Sequence, residues 1–139
     1  MTRVDFYVVA DGAPDAGLSV AVRLAQKAFT AGHRLFIHTG SQQEASALNE
    51  LLWRHTPASF LPHALADEDD QEAIVVGWQQ EPANASDVLI NTATDIPPFF
   101  SRFERVAEVV TQDPQRLEAM RAAWRFYRDR GYPLQKHDL

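Results

Sequence analysis

Three arginines near the C-terminus, Arg121, Arg125 and Arg128, follow the spacing i, i+4, i+7. At about 100° per residue this spacing gathers them within roughly 60° on one face of a helix. Leu117, Met120 and Trp124 fall on one border of that face, and Ala119, Ala123, Phe126 and Tyr127 fall roughly opposite, where they are expected to pack on a sheet. Guanidinium groups take carboxylates in paired hydrogen bonds, and an aromatic ring beside arginines is the combination that anchors protein interfaces. A peptide ending in an apolar residue and a free carboxylate, with Asp or Glu before it, matches both parts. The plainer reading makes the arginines a solvated face and Trp124 a plug at the core edge.

The charge distribution favours docking. The chain has 13 Lys and Arg against 19 Asp and Glu, a net charge of −6. Residues 1–115 hold 7 basic and 16 acidic side chains, whereas residues 116–136 hold 6 basic and 2 acidic. A basic patch on an acidic protein suits a small acidic ligand better than a long polyanion, which the remaining surface would repel.

Other chemistry lacks its residues. There is no cysteine, which removes thiol nucleophiles, disulfides and Cys-based metal sites. The turn Asp11-Gly12-Ala13-Pro14-Asp15-Ala16-Gly17 fits neither G-x-G-x-x-G nor the Walker pattern, and Asp11 reads as a turn former before a glycine. No Gly-x-Ser-x-Gly elbow occurs, the five histidines show no ligand spacing, and Asp67 to Asp70 lacks the Gly and Glu of a calcium loop. No cofactor is expected. A small nucleotide-binding or phosphate-handling enzyme remains as the alternative, suggested by the strand-loop-helix opening alone.

The elements that would position these residues alternate. Val4–Val9 reads as a strand, Leu18 to Phe29 as a helix ending at Gly32, and Arg34–His38 as a second strand. Ser41-Gln42-Gln43-Glu44 has the form of a capping box opening a helix to about His55. Ala73–Trp78 and Asp87–Asn91 look like interior strands, Pro97-Pro98 starts a short helix, and Arg105–Val110 returns as a strand. Asp113-Pro114 caps the last helix and Gly131-Tyr132-Pro133 closes it. Such alternation predicts an α/β sheet with helices on its faces, in one domain spanning residues 1–139. No run of about 18 apolar residues occurs and the N-terminus enters a strand directly, so a cytoplasmic protein is expected.

Several blocks together resemble a known family, the chi subunit of the bacterial DNA polymerase III holoenzyme. They are Val4-Asp5-Phe6-Tyr7-Val8, Leu52-Trp53-Arg54 through Ser59-Phe60-Leu61-Pro62-His63-Ala64-Leu65, Asp87–Asn91, and Trp124-Arg125-Phe126-Tyr127-Arg128 with Gly131-Tyr132. The resemblance implies a three-layer, Rossmann-like, mostly parallel sheet with helices on both faces and no nucleotide-binding loop. It also implies two docking surfaces on a non-catalytic adaptor. One receives the acidic C-terminal tail of single-stranded-DNA-binding protein, at positions matching Arg121, Trp124, Arg125 and Arg128, with Val110 at the pocket wall. The other receives the psi subunit of the clamp loader, or alternatively an iron–sulfur DNA helicase, at positions matching Trp53, Phe60, Pro62 and His63. Two departures stand out: Leu117 occupies the place of a family Lys, which neighbouring Arg116 is a candidate to replace, and Trp124 stands where a Tyr is usual.

Overall fold

Short runs rich in β-branched and aromatic residues make most of the strands, and helices with a single apolar face connect three of the six successive strand pairs. The computed structural model of the protein describes residues 1–55, 61–83 and 87–139. In chain order the elements are β1 (Arg3–Val8), α1 (Ala16–Thr30), β2 (Leu35–His38), α2 (Gln42–Arg54), β3 (His63–Leu65), β4 (Ile74–Gly77) and β5 (Val88–Asn91). A 3-10 turn (Phe100–Arg102), β6 (Arg105–Val110), α3 (Pro114–Asp129) and β7 (Leu134–Asp138) complete the chain. The strands form one seven-stranded sheet in the order β3-β4-β2-β5-β6-β1-β7, and every neighbouring pair is parallel.

The strand period of two divides the core into layers. Leu35 and Ile37 of β2, Ile74 and Val76 of β4, and Val88 and Ile90 of β5 pack with Val20, Ala21 and Ala25 of α1 and Ala45 and Leu48 of α2. Their alternates Phe36, Val75 and Leu89 face the other way, joining Val4, Phe6, Val106 and Val110 against Phe99, Phe100 and Phe103 and against Ala123 and Tyr127 of α3. Strands buried on both faces in this manner read as continuous apolar runs, which is why β4 and β5 are legible in the sequence.

The helix ends follow local chemistry. Gly32 (φ +89°) and Gly131 (φ +80°) adopt the left-handed conformation just past α1 and α3. The amides of Gly32 and His33 reach back to the carbonyls of Phe29 and Ala28, and those of Gly131 and Tyr132 to Arg128 and Tyr127. Both helices therefore end in a Schellman motif. At the start of α3 the Asp113 carboxylate accepts from the Arg116 amide at 3.1 Å, with Pro114 in the first turn. The expected capping box of α2 forms only in part. Ser41 Oγ accepts from the Glu44 amide at 3.1 Å, but the Glu44 carboxylate takes the Thr92 hydroxyl instead of reaching back to Ser41.

Two strands were not expected from the sequence. β3 has only three residues, and β7 has the polar sequence Leu-Gln-Lys-His-Asp, with Leu134 and His137 half-buried and the rest exposed. β7 is an edge strand pairing with β1 on one side, so its solvated edge tolerates a composition no interior strand would. Residues 16 and 17, expected in a loop, instead open α1.

Candidate protein-docking site

Helix α3 presents the stripe as its outer face. Its inner face is fixed by Ala123 and Tyr127, both buried, and by Arg116, only 4% exposed. The sequence counts Arg116 within the basic segment 116–136, but the structure withdraws it from the surface. Its guanidinium donates to Glu108 Oε1 at 2.8 Å and to the Val109 carbonyl at 2.9 Å. Asn91 Nδ2 donates to the same carboxylate oxygen at 2.9 Å, and the Tyr127 hydroxyl donates to Glu108 Oε2 at 2.8 Å. Burial, reinforced by the Glu108 charge and hydrogen bond, pushes the Tyr127 phenol far above its ordinary range, so it stays a donor. Arg116 is therefore a core ion-pair partner and does not replace a surface lysine at Leu117.

The outer residues lie where the helical wheel puts them. Arg121, Arg125 and Arg128 are exposed. Arg128 reaches its neighbour Asp129 at 3.1 Å, whereas Arg121 and Arg125 have no ion-pair partner among the described residues. Trp124 is half-buried, its ring packed on Phe6 with centroids 5.2 Å apart and planes inclined by 52°. Phe6 is fully buried in β1, so one part of the indole is held by the core while the rest remains available. Val110 is fully buried in the same apolar cluster and contributes support from within rather than surface. Ala119 and Phe126, expected to pack wholly inward, are only half-buried; they line an open groove, and the Arg130 guanidinium sits 3.7 Å above the Phe126 ring.

The second predicted surface lies at the other end of the sheet. Trp53, next to last in α2, is 58% exposed and meets the His63 ring at 4.5 Å between centroids. His63, in β3, is buried, with Nδ1 2.6 Å from the Leu61 carbonyl and Nε2 without a hydrogen-bond partner among the described residues. Pro62 is half-buried beside it. Phe60 lies outside the described residues. The structure thus joins Trp53, Pro62 and His63 at the β3 edge, whereas α3 packs near β6 and β7 on the opposite face.

The carboxyl ends of the parallel strands, where α/β proteins commonly bind nucleotides, carry a cleft of about 330 Å³ lined by Gly17, Glu44, Thr111, Asp113 and Arg116 among others. Gly17 is pressed against Thr111, to which an added Cβ would approach within 2.6 Å, so its closeness serves packing between α1 and the loop after β6. Two carboxylates line the cleft, and the one cation there is already engaged by Glu108. Asp11 accepts from the Ala13 amide at 2.9 Å, the turn-forming role its sequence suggests. The five histidines are dispersed, each with its own neighbour: Asp87, Asp95, Gln26, the Leu61 carbonyl and Asp5.

Fold and site together define an open, all-parallel α/β protein whose distinctive surfaces are an arginine-tryptophan helix face and, at the β3 edge, the exposed Trp53. Residues 1–135 match the family described as DNA polymerase III chi subunit, HolC. The DNA polymerase III subunit chi of Pseudomonas aeruginosa is 43% identical over 139 residues, covering 100% of this chain and 98% of that protein. Those of Escherichia coli and Haemophilus influenzae are 27% and 26% identical, covering 96% of this chain in each case and 96% and 95% of the relatives. The chain belongs to the DNA polymerase III chi subunit family, an accessory component of the replication machinery. Among the described residues, no helix is long and apolar enough to cross a membrane.

Proposed function

We propose that this chi-family protein is a non-catalytic cytoplasmic adaptor, one domain spanning residues 1–139, that couples the polymerase assembly to coated single-stranded DNA. Helix α3 receives the acidic C-terminal tail of single-stranded-DNA-binding protein. The supporting observation is the half-buried Trp124, held on Phe6 beside the exposed Arg121 and Arg125, which have no ion-pair partner among the described residues. The apolar last side chain of the tail packs on the indole, and its carboxylates meet the guanidinium groups. Exposed ion pairs contribute about 0.2–1 kcal/mol each, so the ring supplies the larger share and the arginines guide approach.

The patch of Trp53, Pro62 and His63, with Phe60, receives the psi subunit and through it the clamp loader; an iron–sulfur DNA helicase is the alternative occupant. An exposed Trp is the type of residue that dominates interface energetics.

Calorimetric titration of an acidic tail peptide tests the first surface. Trp124→Ala should weaken binding by about 2 kcal/mol, and Arg125→Ala by less, about 1 kcal/mol. Equal affinity for wild type and the double variant would remove the assignment. Co-purification of tagged protein with psi, lost on Trp53→Ala, tests the second.

A further inference from the structure

The arginine stripe has apolar surface on both flanks, and tail docking at Trp124 uses only one. On the other flank, Ala119, Ala122 and Phe126 of α3 face Ile96, Pro97 and Pro98 across an open groove of about 550 Å³. Ala122 is exposed and Phe126 half-buried, so the groove is accessible along the helix. Arg121 and Arg125 stand on the crest between this groove and Trp124, with no ion-pair partner among the described residues. Asp129 on the same crest is already engaged by Arg128, leaving Glu118 as the exposed crest acid without an ion pair among the described residues.

Building on the tail-docking reading, we infer that α3 is straddled by its ligand. The acidic run crosses the crest over Arg121 and Arg125, and a second apolar side chain, upstream of the terminal one, enters the groove between Phe126 and Pro97-Pro98. The partner is therefore an acidic segment with apolar residues at both ends of its acidic run, and the groove supplies selectivity among acidic tails. Spacing follows from helix geometry. From Ala122 to Trp124 over the crest is an arc of about 160°, which at the radius of a bound chain is roughly 20 Å, or about six residues of extended backbone. A groove walled by proline and phenylalanine suits an aliphatic side chain, and the cations between the two flanks disfavour a neutral or basic connection.

The test compares two peptides of equal charge with free C-terminal carboxylates, Leu-Ser-Asp-Asp-Asp-Asp-Phe and Ser-Ser-Asp-Asp-Asp-Asp-Phe, by isothermal titration. Wild type should bind the leucine peptide about tenfold more tightly, the scale of burying one aliphatic side chain. Ala122→Gln, a neutral change at an exposed helical site, should erase that advantage while leaving the serine peptide unchanged. Trp124→Ala should weaken both peptides. If both bind wild type equally and both are weakened by Trp124→Ala, the second subsite is refuted and tail docking stands. If neither binds, or Trp124→Ala weakens neither, the tail-docking reading fails and this inference falls with it.

Discussion

Arg116 and Glu108, eight residues apart in the chain, meet at 2.8 Å with side chains 4% and 0% exposed. With Tyr127 and Asn91 on the same carboxylate, the pair ties α3 to β6 and β5. This fixes the rotation of α3 about its own axis. Arg116 and Tyr127 lie eleven residues apart, three helical turns, so both point inward together, and the residues between them that face away include Arg121 and Arg125. A core contact therefore sets which side chains the docking face presents.

Removing one member of this pair should be costly. Arg116→Met leaves Glu108 buried without its cation and should destabilise the fold by about 3–5 kcal/mol, measured by urea denaturation. The double change Arg116→Met with Glu108→Leu should recover much of that loss, because two apolar groups replace two desolvated charges. A single variant within about 1 kcal/mol of wild type would show that the pair does not hold the helix.

The phenol of Tyr127 sets a limit in alkali. Its raised pKa in the folded protein means that the native state keeps a proton which the unfolded chain loses above about pH 10. Stability from this group is full below pH 10 and falls above it by up to about 1.4 kcal/mol per pH unit. Tyr7, raised by burial and then by Asp5, adds in the same direction. Tyr127→Phe should cost about 1.5–3 kcal/mol at neutral pH, through the lost bond to the Glu108 carboxylate. The same variant should flatten the decline in melting temperature between pH 10 and 11. An unchanged alkaline slope would refute the assignment.

How much of this was legible depends on which interaction decided each residue. The parallel sheet could be read because β4 and β5 are apolar on both faces, and the ends of α1 and α3 because a glycine stands at each left-handed position. The polar β7 could not, since its pairing with β1 is a tertiary contact made by its backbone. Arg116 was misread as surface charge because local sequence shows a cation beside other cations. The signal that could have placed it is a Glu inside the apolar strand Arg-Val-Ala-Glu-Val-Val, a charge that needs a partner if the strand is interior. The stripe itself was readable because helical periodicity alone determines it.

The three arginines should not contribute equally. Arg128 is held by Asp129 at 3.1 Å, and a ligand must compete with that contact. Arg121→Ala or Arg125→Ala should therefore weaken an acidic tail peptide more than Arg128→Ala, by roughly threefold or more at low salt. The differences should shrink as ionic strength rises from about 0.05 to 0.5 M. Equal losses at all three positions, or losses insensitive to salt, would contradict this ordering.

Gly17 opposes a general expectation. In a helix, Gly→Ala ordinarily gains about 0.5–1 kcal/mol by restricting the unfolded chain. Here the new Cβ would approach Thr111 Cγ2 to 2.6 Å, and Thr111 is β-branched and sits directly after β6, so it has little freedom to withdraw. Overpacking of this kind costs about 1–3 kcal/mol, which exceeds the propensity gain. Gly17→Ala should therefore lower the melting temperature. Thr111→Ser removes the offending methyl, and in that background the same Gly17→Ala change should turn neutral or stabilising. A Gly17→Ala variant that melts higher than wild type on its own would show that α1 can shift away from the loop after β6.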